Sequence, residues 1–194
     1  MAAYSISPHQ FFCVNGAYVV MLDLRSDRYS ALPAEEAERL RKQASVVPIR
    51  PPAVETWTDE DDVRIHFADT LRFLTAFVKA HLALKWQTLE TVVSRVRHRK
   101  LQNAMPAKTS DTMRAGQLIA IAERLRPFVF SAHNRCLFES LLLIEYLARY
   151  RIFPDWVFGV HMAPFNAHCW VQYGDVVLND TLEHARSFTP IMAV

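Results

Sequence analysis

Cysteine is scarce in this chain of 194 residues, with copies only at positions 13, 136 and 169. An odd count at these spacings makes no disulfide framework, and without a C-x-x-C pair the usual zinc spacing is missing too. Charge of one sign is also lacking. The 22 Lys and Arg stand against 20 Asp and Glu, a net charge of +2, which gives no electrostatic case for nucleic acid. There is no long uncharged apolar run either. The longest candidate, Phe67 to Trp86, carries Asp69, Arg72, Lys79 and His81, a density that a membrane-spanning helix does not tolerate. No secretory n-region precedes the mildly apolar start, and Cys13 interrupts a short alternating segment in place of a signal h-region. Together these absences predict a cytoplasmic protein with reduced thiols and no bound metal. What the chain does have is 51% hydrophobic residues, enough to bury one good core or two small ones.

The stretch with chemical character runs from Asn134 to Asp180. Asn134 stands where an N-cap would, and the apolar run Cys136 to Tyr150 has helical length and few breakers. Cys136 therefore falls in a first helical turn, where free backbone N–H groups and the positive end of the macrodipole favour a thiolate and can donate to an oxyanion. His168 follows on a predicted strand and Asp180 on the next one. A nucleophile, a base and an orienting group in that order suit covalent catalysis, with the partners meeting in space and not in sequence. Alternation along Ala167 to Tyr173 puts His168, Trp170 and Gln172 on one face, and Cys169, Val171 and Tyr173 on the other. Cys169 then reads as core, and a metal site built from His161, His168 and Cys169 fails because neighbouring strand residues point to opposite faces. His133 is the other histidine near the cysteine. Trp170 is expected to cover the imidazole or line a substrate groove, with Phe165 as a pocket wall.

The motifs Arg-Cys-Leu-Phe-Glu-Ser-Leu, Phe158 to Phe165, Ala167-His-Cys-Trp-Val-Gln172 and Val177-Leu-Asn-Asp180 resemble the core of the transglutaminase-like leader peptidases of lasso-peptide biosynthesis, the B proteins. The resemblance covers roughly Phe67 to Val194. It implies Cys136 as nucleophile, His168 as base and Asp180 as orienter. The implied substrate is the leader segment of a ribosomally made precursor peptide. The implied partner is an ATP-dependent cyclase that closes the macrolactam. The ATP would belong to that cyclase, since nothing here resembles a P-loop, and no cofactor is expected. Two other readings use the same residues: acyl transfer to an amine by the same triad, and a catalytically idle scaffold that delivers leaders.

Upstream, Tyr4 to Ile6, Phe11 to Val14 and Ala17 to Leu24 read as strands, with Asn15-Gly16 as a hairpin signal and a turn at Arg25-Ser-Asp27 leading into Arg28 to Leu32. Pro33 then opens a helix with acids in its first turn. Val20 to Leu24 followed by Arg28-Tyr29-Ser30-Ala31-Leu32 resembles the opening of the winged-helix-like precursor-recognition module that lasso B proteins carry. The resemblance implies that Arg28 to Leu32 pair with the leader as an added strand. The expected architecture is α+β, with a small N-terminal antiparallel sheet plus helices over residues 1–66 and a transglutaminase- or papain-like cysteine protease domain over 67–194.

Between them, Val46 to Thr58, with Pro48, Pro51 and Pro52, reads as a linker, and Thr58 to Asp62 can cap a helix starting near residue 60. Leu71, Leu74, Phe77, Val78, His81 and Leu82 share one helical face and are expected in the core. Lys85 to Lys100 is expected to be a helix, with its basic end, Arg95 to Lys100, on a solvated face or docked on a partner enzyme. Gln102 to Asp111, with Pro106 and Ser110, reads as a loop, and Thr112 to Arg126 as a helix that Pro127 stops. His161 to Asn166 is expected as a connection, and Phe188 to Val194 as a last strand. The turn after Tyr173 tests the triad. A two-residue Gly174-Asp175 turn with regular pairing would set Asp180 opposite Cys169 and leave Asn179 on the His168 face. A bulge or a three- or five-residue connection would bring Asp180 round, and that is the expectation.

Overall fold

The computed structural model describes residues 2–55, 64–103, 109–126 and 135–194. The chain is α+β, with two five-stranded sheets and a group of helices. The first sheet has the order β4-β3-β2-β1-β5, from Ala3–Ser7 (β1), Gln10–Asn15 (β2), Tyr18–Asp23 (β3), Arg28–Pro33 (β4) and Ser45–Val47 (β5). Apolar residues point both ways along β2 and β3, so this sheet has two apolar faces. Phe12 and Val19 pack on the short helix α1 (Ala37–Arg41), while Phe11, Cys13, Val20 and Leu22 join the main core.

The second sheet has the order β10-β7-β8-β9-β6, from Val54–Glu55 (β6), Asp155–Met162 (β7), Phe165–Tyr173 (β8), Val176–Val177 (β9) and Thr189–Ala193 (β10). Helices α2 (Phe67–Trp86), α3 (Leu89–Gln102), α4 (Thr109–Leu125) and α5 (Arg135–Ala148) stand beside it. A last short helix, α6 (Leu182–Ser187), precedes β10. One buried cluster runs from β2 and β3 through β10 and β7 to α2 and α5, so both sheets share a core.

Several expectations are corrected. The β2–β3 hairpin turns at Gly16-Ala17, because Asn15 still pairs with Tyr18. Gly16, at φ +59°, takes the positive φ that the first position of this turn requires. Asn15 instead joins the two sheets, since its Nδ2 donates to the Val160 carbonyl at 3.2 Å and to Thr189 Oγ1 at 3.1 Å. The proline-rich stretch is not only a linker, since β5 pairs with β1 in the first sheet and β6 lies parallel to β9 in the second. His161 to Asn166 is largely strand, with His161 opposite Asn166 and a two-residue turn at Ala163-Pro164.

The helical region is corrected in two places. The face of α2 that periodicity assigns to the core points largely outward: Leu71, Leu74, Val78 and Leu82 are exposed, and Phe73, Ala76, Ala80 and Ala83 are buried. Amphipathic spacing shows which residues share a face, but not which face a neighbouring helix covers. The second correction concerns the basic run. Its helix starts at Leu89, capped by Thr88, because α2 continues through Trp86. The run is not a solvated face, for Arg99 bonds the buried Glu145 carboxylate at 2.7 Å, Arg95 approaches it at 3.7 Å, and Lys100 pairs with Asp155. Lys79 completes the cluster at 2.7 Å, and these cations hold Glu145 below the usual carboxylate range although burial pushes the other way. The expected caps at Asn134 and Thr58 to Asp62, the Pro127 stop and His133 lie outside the described residues. Among the described residues, no helix is long and apolar enough to cross a membrane.

Candidate active site

Helix α5 forms because its Leu, Ala and Glu residues favour helix and its apolar face is buried against β8 and α2. Cys136 is the second residue of this helix and is half-buried. One turn further on, Ser140 donates to the Cys169 carbonyl at 3.2 Å, and its Oγ lies 3.9 Å from the Cys169 sulfur. The Cys136–Ser140 side of α5 thus faces β8 at Cys169.

His168 points to the other face of β8, where its ring lies 6.1 Å from Trp170, 5.1 Å from Phe188 and 4.7 Å from His184. A thiol on one face and an imidazole on the other can meet because β9 is only two residues long. It pairs with Gln172 and Tyr173, and among the described residues no strand pairs with residues 165–170 on that side of β8. Around that open edge the Cys136 sulfur meets the thiol and N–H of Cys169 and the His168 ring.

The turn after Tyr173 has two residues, with Tyr173 opposite Val176 and Gln172 opposite Val177, so the expected bulge or longer loop is absent. Asp180 nevertheless reaches His168, since the strand ends first. Asn179 accepts from the Val171 N–H at 2.7 Å and donates to Ser140 Oγ at 3.1 Å. The chain then bends, and Asp180 Oδ2 lies 2.7 Å from His168 Nε2. The other carboxylate oxygen accepts from the Thr181 N–H at 2.8 Å.

These contacts set the charge states. Donation from the Cys169 thiol, then from His168 and the Cys169 N–H, outweighs burial and brings the Cys136 pKa down to about 4. Burial alone would lower His168, but its bonds to Asp180 and Cys136 raise it to about 9. Asp180 is half-buried, which disfavours its charge, yet its bonds to His168, His184 and Thr181 hold it below the usual carboxylate range. Cys169 is pushed well up by its bond to Cys136 and by burial, so it stays a thiol. At neutral pH the pair is a Cys136 thiolate beside a His168 imidazolium, ready to attack a carbonyl and protonate a leaving group.

Sequence reasoning missed two participants. His184 places Nδ1 2.9 Å from both Asp180 oxygens. The signal was a histidine four residues after the aspartate, across the first turn of a helix capped by Thr181. Cys169 is buried as expected, but it also supplies the largest stabilisation of the Cys136 thiolate. His168, Asp180 and His184 offer ligand atoms within 4.8 Å of one another, a grouping that could hold a metal, although these atoms already serve as each other's hydrogen-bond partners. His161, 3.2 Å from the Pro164 carbonyl, stands apart from them.

Of the remaining predicted residues, Trp170 is fully buried under the imidazole and offers no surface to a substrate. It packs so closely that a Cβ on Gly159 would lie 2.9 Å from its ring and 2.8 Å from the Phe188 Cβ. Phe165 is exposed and meets the Tyr29 ring edge-on at 5.7 Å. Tyr29 belongs to β4, the free edge of the first sheet, on which Arg28, Ser30 and Ala31 are exposed and Leu32 packs toward α1. Burial raises the pKa of the Tyr29 hydroxyl.

A family model described as the transglutaminase-like superfamily matches residues 74–193, more than half of the chain. No curated protein and no solved structure gives a match.

Proposed function

The chain belongs to the transglutaminase-like superfamily, and on that premise we propose that it is a cysteine endopeptidase that removes the leader segment from a ribosomally made lasso-peptide precursor. The superfamily is compatible with protease or acyltransferase chemistry. The observation that carries the catalytic part is the connected set Cys136, His168 and Asp180, in which the His168 ring bonds the Asp180 carboxylate through Nε2 at 2.7 Å and also bonds the Cys136 thiol. In this reading the Cys136 thiolate adds to the scissile carbonyl, and the N–H groups at the start of α5 face the developing oxyanion. His168 protonates the leaving amine as the C–N bond breaks, leaving an acyl-enzyme. It then takes a proton from water, which attacks the thioester and releases the acid and Cys136. Asp180 keeps the imidazole aligned throughout.

The leader part of the reading rests on β4. An extended peptide pairing with Arg28 to Leu32 would run past Tyr29 and Phe165, the residue that opens the strand carrying His168. On this view residues 1–66 act as the recognition module, residues 67–194 as the protease, and an ATP-dependent cyclase takes the product. Mass spectrometry of the precursor after incubation with wild type and Cys136→Ala, with and without cyclase and ATP, tests it. Cleavage at one bond by wild type only is the expected result. Equal processing by both proteins would make this chain a leader-delivering scaffold, and transfer to an added amine in preference to water would make it an acyltransferase.

A further inference from the structure

Helix α2 divides its residues in an unexpected way. Its buried side is mostly alanine, with Phe73 the one large residue among Ala76, Ala80 and Ala83. The large apolar side chains face solvent: Phe67 is 83% and Trp86 74% exposed, and Leu71, Leu74, Val78 and Leu82 lie between 45% and 53%. They recur three or four residues apart and form one stripe about 28 Å long at 1.5 Å per residue. At the size of such side chains the stripe presents on the order of 700 Å² of apolar surface. That exceeds the largest patch on most monomers, about 300–600 Å², and it matches the ~800 Å² that each partner contributes to a stable interface.

We propose that this stripe is the interface of a homodimer in which two copies of α2 pack antiparallel. Besides the area, the pattern is self-complementary, as a two-fold interface requires. A two-fold axis at the middle of the helix sets Phe67 against the partner's Trp86 and Leu71 against the partner's Leu82, with Leu74 and Val78 interdigitating at the centre. The row Leu74, Val78, Leu82, Trp86 is an i, i+4 ridge, which packs at a crossing angle of about −50°. Crossing helices diverge toward their ends, and the two largest side chains sit there to fill the gap.

Charge permits the pairing. Arg72 lies 3.8 Å from Asp69 and over the Tyr150 ring, Lys79 is bonded to Glu145, and Lys85 lies over the Trp86 ring. The same axis puts Arg72 opposite the partner's His81 and Lys85 opposite the partner's Ala68, so no two lysines or arginines face each other. An anionic lipid surface is the competing occupant, but it is less favoured because Arg72 and Lys79 already have carboxylate partners. Helix α5 packs on the other side of α2, through Phe73–Tyr146 and Phe77–Phe138 ring contacts. The dimer therefore leaves the surroundings of Cys136 untouched.

Sedimentation velocity of the full chain over about a hundredfold concentration range, together with cross-linking, tests the proposal. Wild type is expected as a dimer. The double substitution Leu71→Glu, Leu82→Glu is expected to weaken association at least 100-fold while the circular dichroism spectrum is retained. In a Cys136→Ala background, a short bismaleimide is expected to join Leu71→Cys to Leu82→Cys in a mixture, and neither variant to itself. A wild-type monomer, a dimer that survives the double substitution, or efficient self-linking of Leu71→Cys would each overturn the proposal. So would a monomer that floats with phosphatidylglycerol vesicles through this stripe, which would assign the stripe to lipid. None of these readouts depends on catalytic activity.

Discussion

Replacing Asp180 by Asn tests the electrostatics of the site with almost no change in shape. The carboxylate serves His168 through Oδ2 at 2.7 Å and His184 at 2.9 Å from both oxygens. An amide has one acceptor oxygen in place of two, so one of the histidines would face an NH2 group. The negative charge beside His168 also disappears. His168 is held at about 9 by its bonds to Asp180 and Cys136, against burial that favours the neutral ring. Without the carboxylate, burial is less opposed and the pKa falls, by about 1–2 units if an adjacent charge is worth its usual amount.

The direction of the pH effect follows from the charge states. The active ion pair exists above the Cys136 value of about 4 and below the His168 value of about 9. Lowering His168 therefore moves the alkaline limb of activity toward neutrality. Misalignment of the ring should also reduce kcat by about 10²- to 10⁴-fold. The assay is kcat/KM for the proposed precursor cleavage from pH 4 to 10, alongside the pH dependence of Cys136 alkylation by iodoacetamide, read by peptide mass. An Asp180→Asn enzyme whose alkaline limb stays near pH 9 would refute the assignment of His168's charge to this carboxylate.

Cys169→Ala removes the largest stabilisation of the Cys136 thiolate, so the acid limb of alkylation should rise by about one unit; an unchanged limb would show that the thiol contact does not matter in solution. Glu145→Gln leaves Lys79, Arg95 and Arg99 around a neutral buried amide. It should destabilise the fold by about 3–5 kcal/mol in urea unfolding, with a loss under 1 kcal/mol counting against a role for this cluster in tying the helices together.

Much of the site could be read locally. Cys136 in the first turn of a helix, the division of β8 into a His168–Trp170–Gln172 face and a Cys169–Val171–Tyr173 face, and the edge position of β4 all follow from spacing and propensity. Helical and strand periods are properties of a few consecutive residues, so the order of residues is enough to say which side chains share a face. How those faces meet depends on residues far apart in the chain. The two-residue turn after Tyr173 is a local feature, but Asp180 reaches His168 because β9 ends after Val177 and Asn179 is tied to Ser140, a residue 39 positions away. The contact of Cys136 with His168, on the other face of β8, depends on the strand edge left open by that short β9. Arg95, Arg99 and Lys100 became clamps because their carboxylate partners, Glu145 and Asp155, arrive on other elements. Helix α2 makes the same point most plainly: its periodicity marked Leu71, Leu74, Val78 and Leu82 as one apolar face, and it took the packing of α5 against the alanine side to turn that face outward.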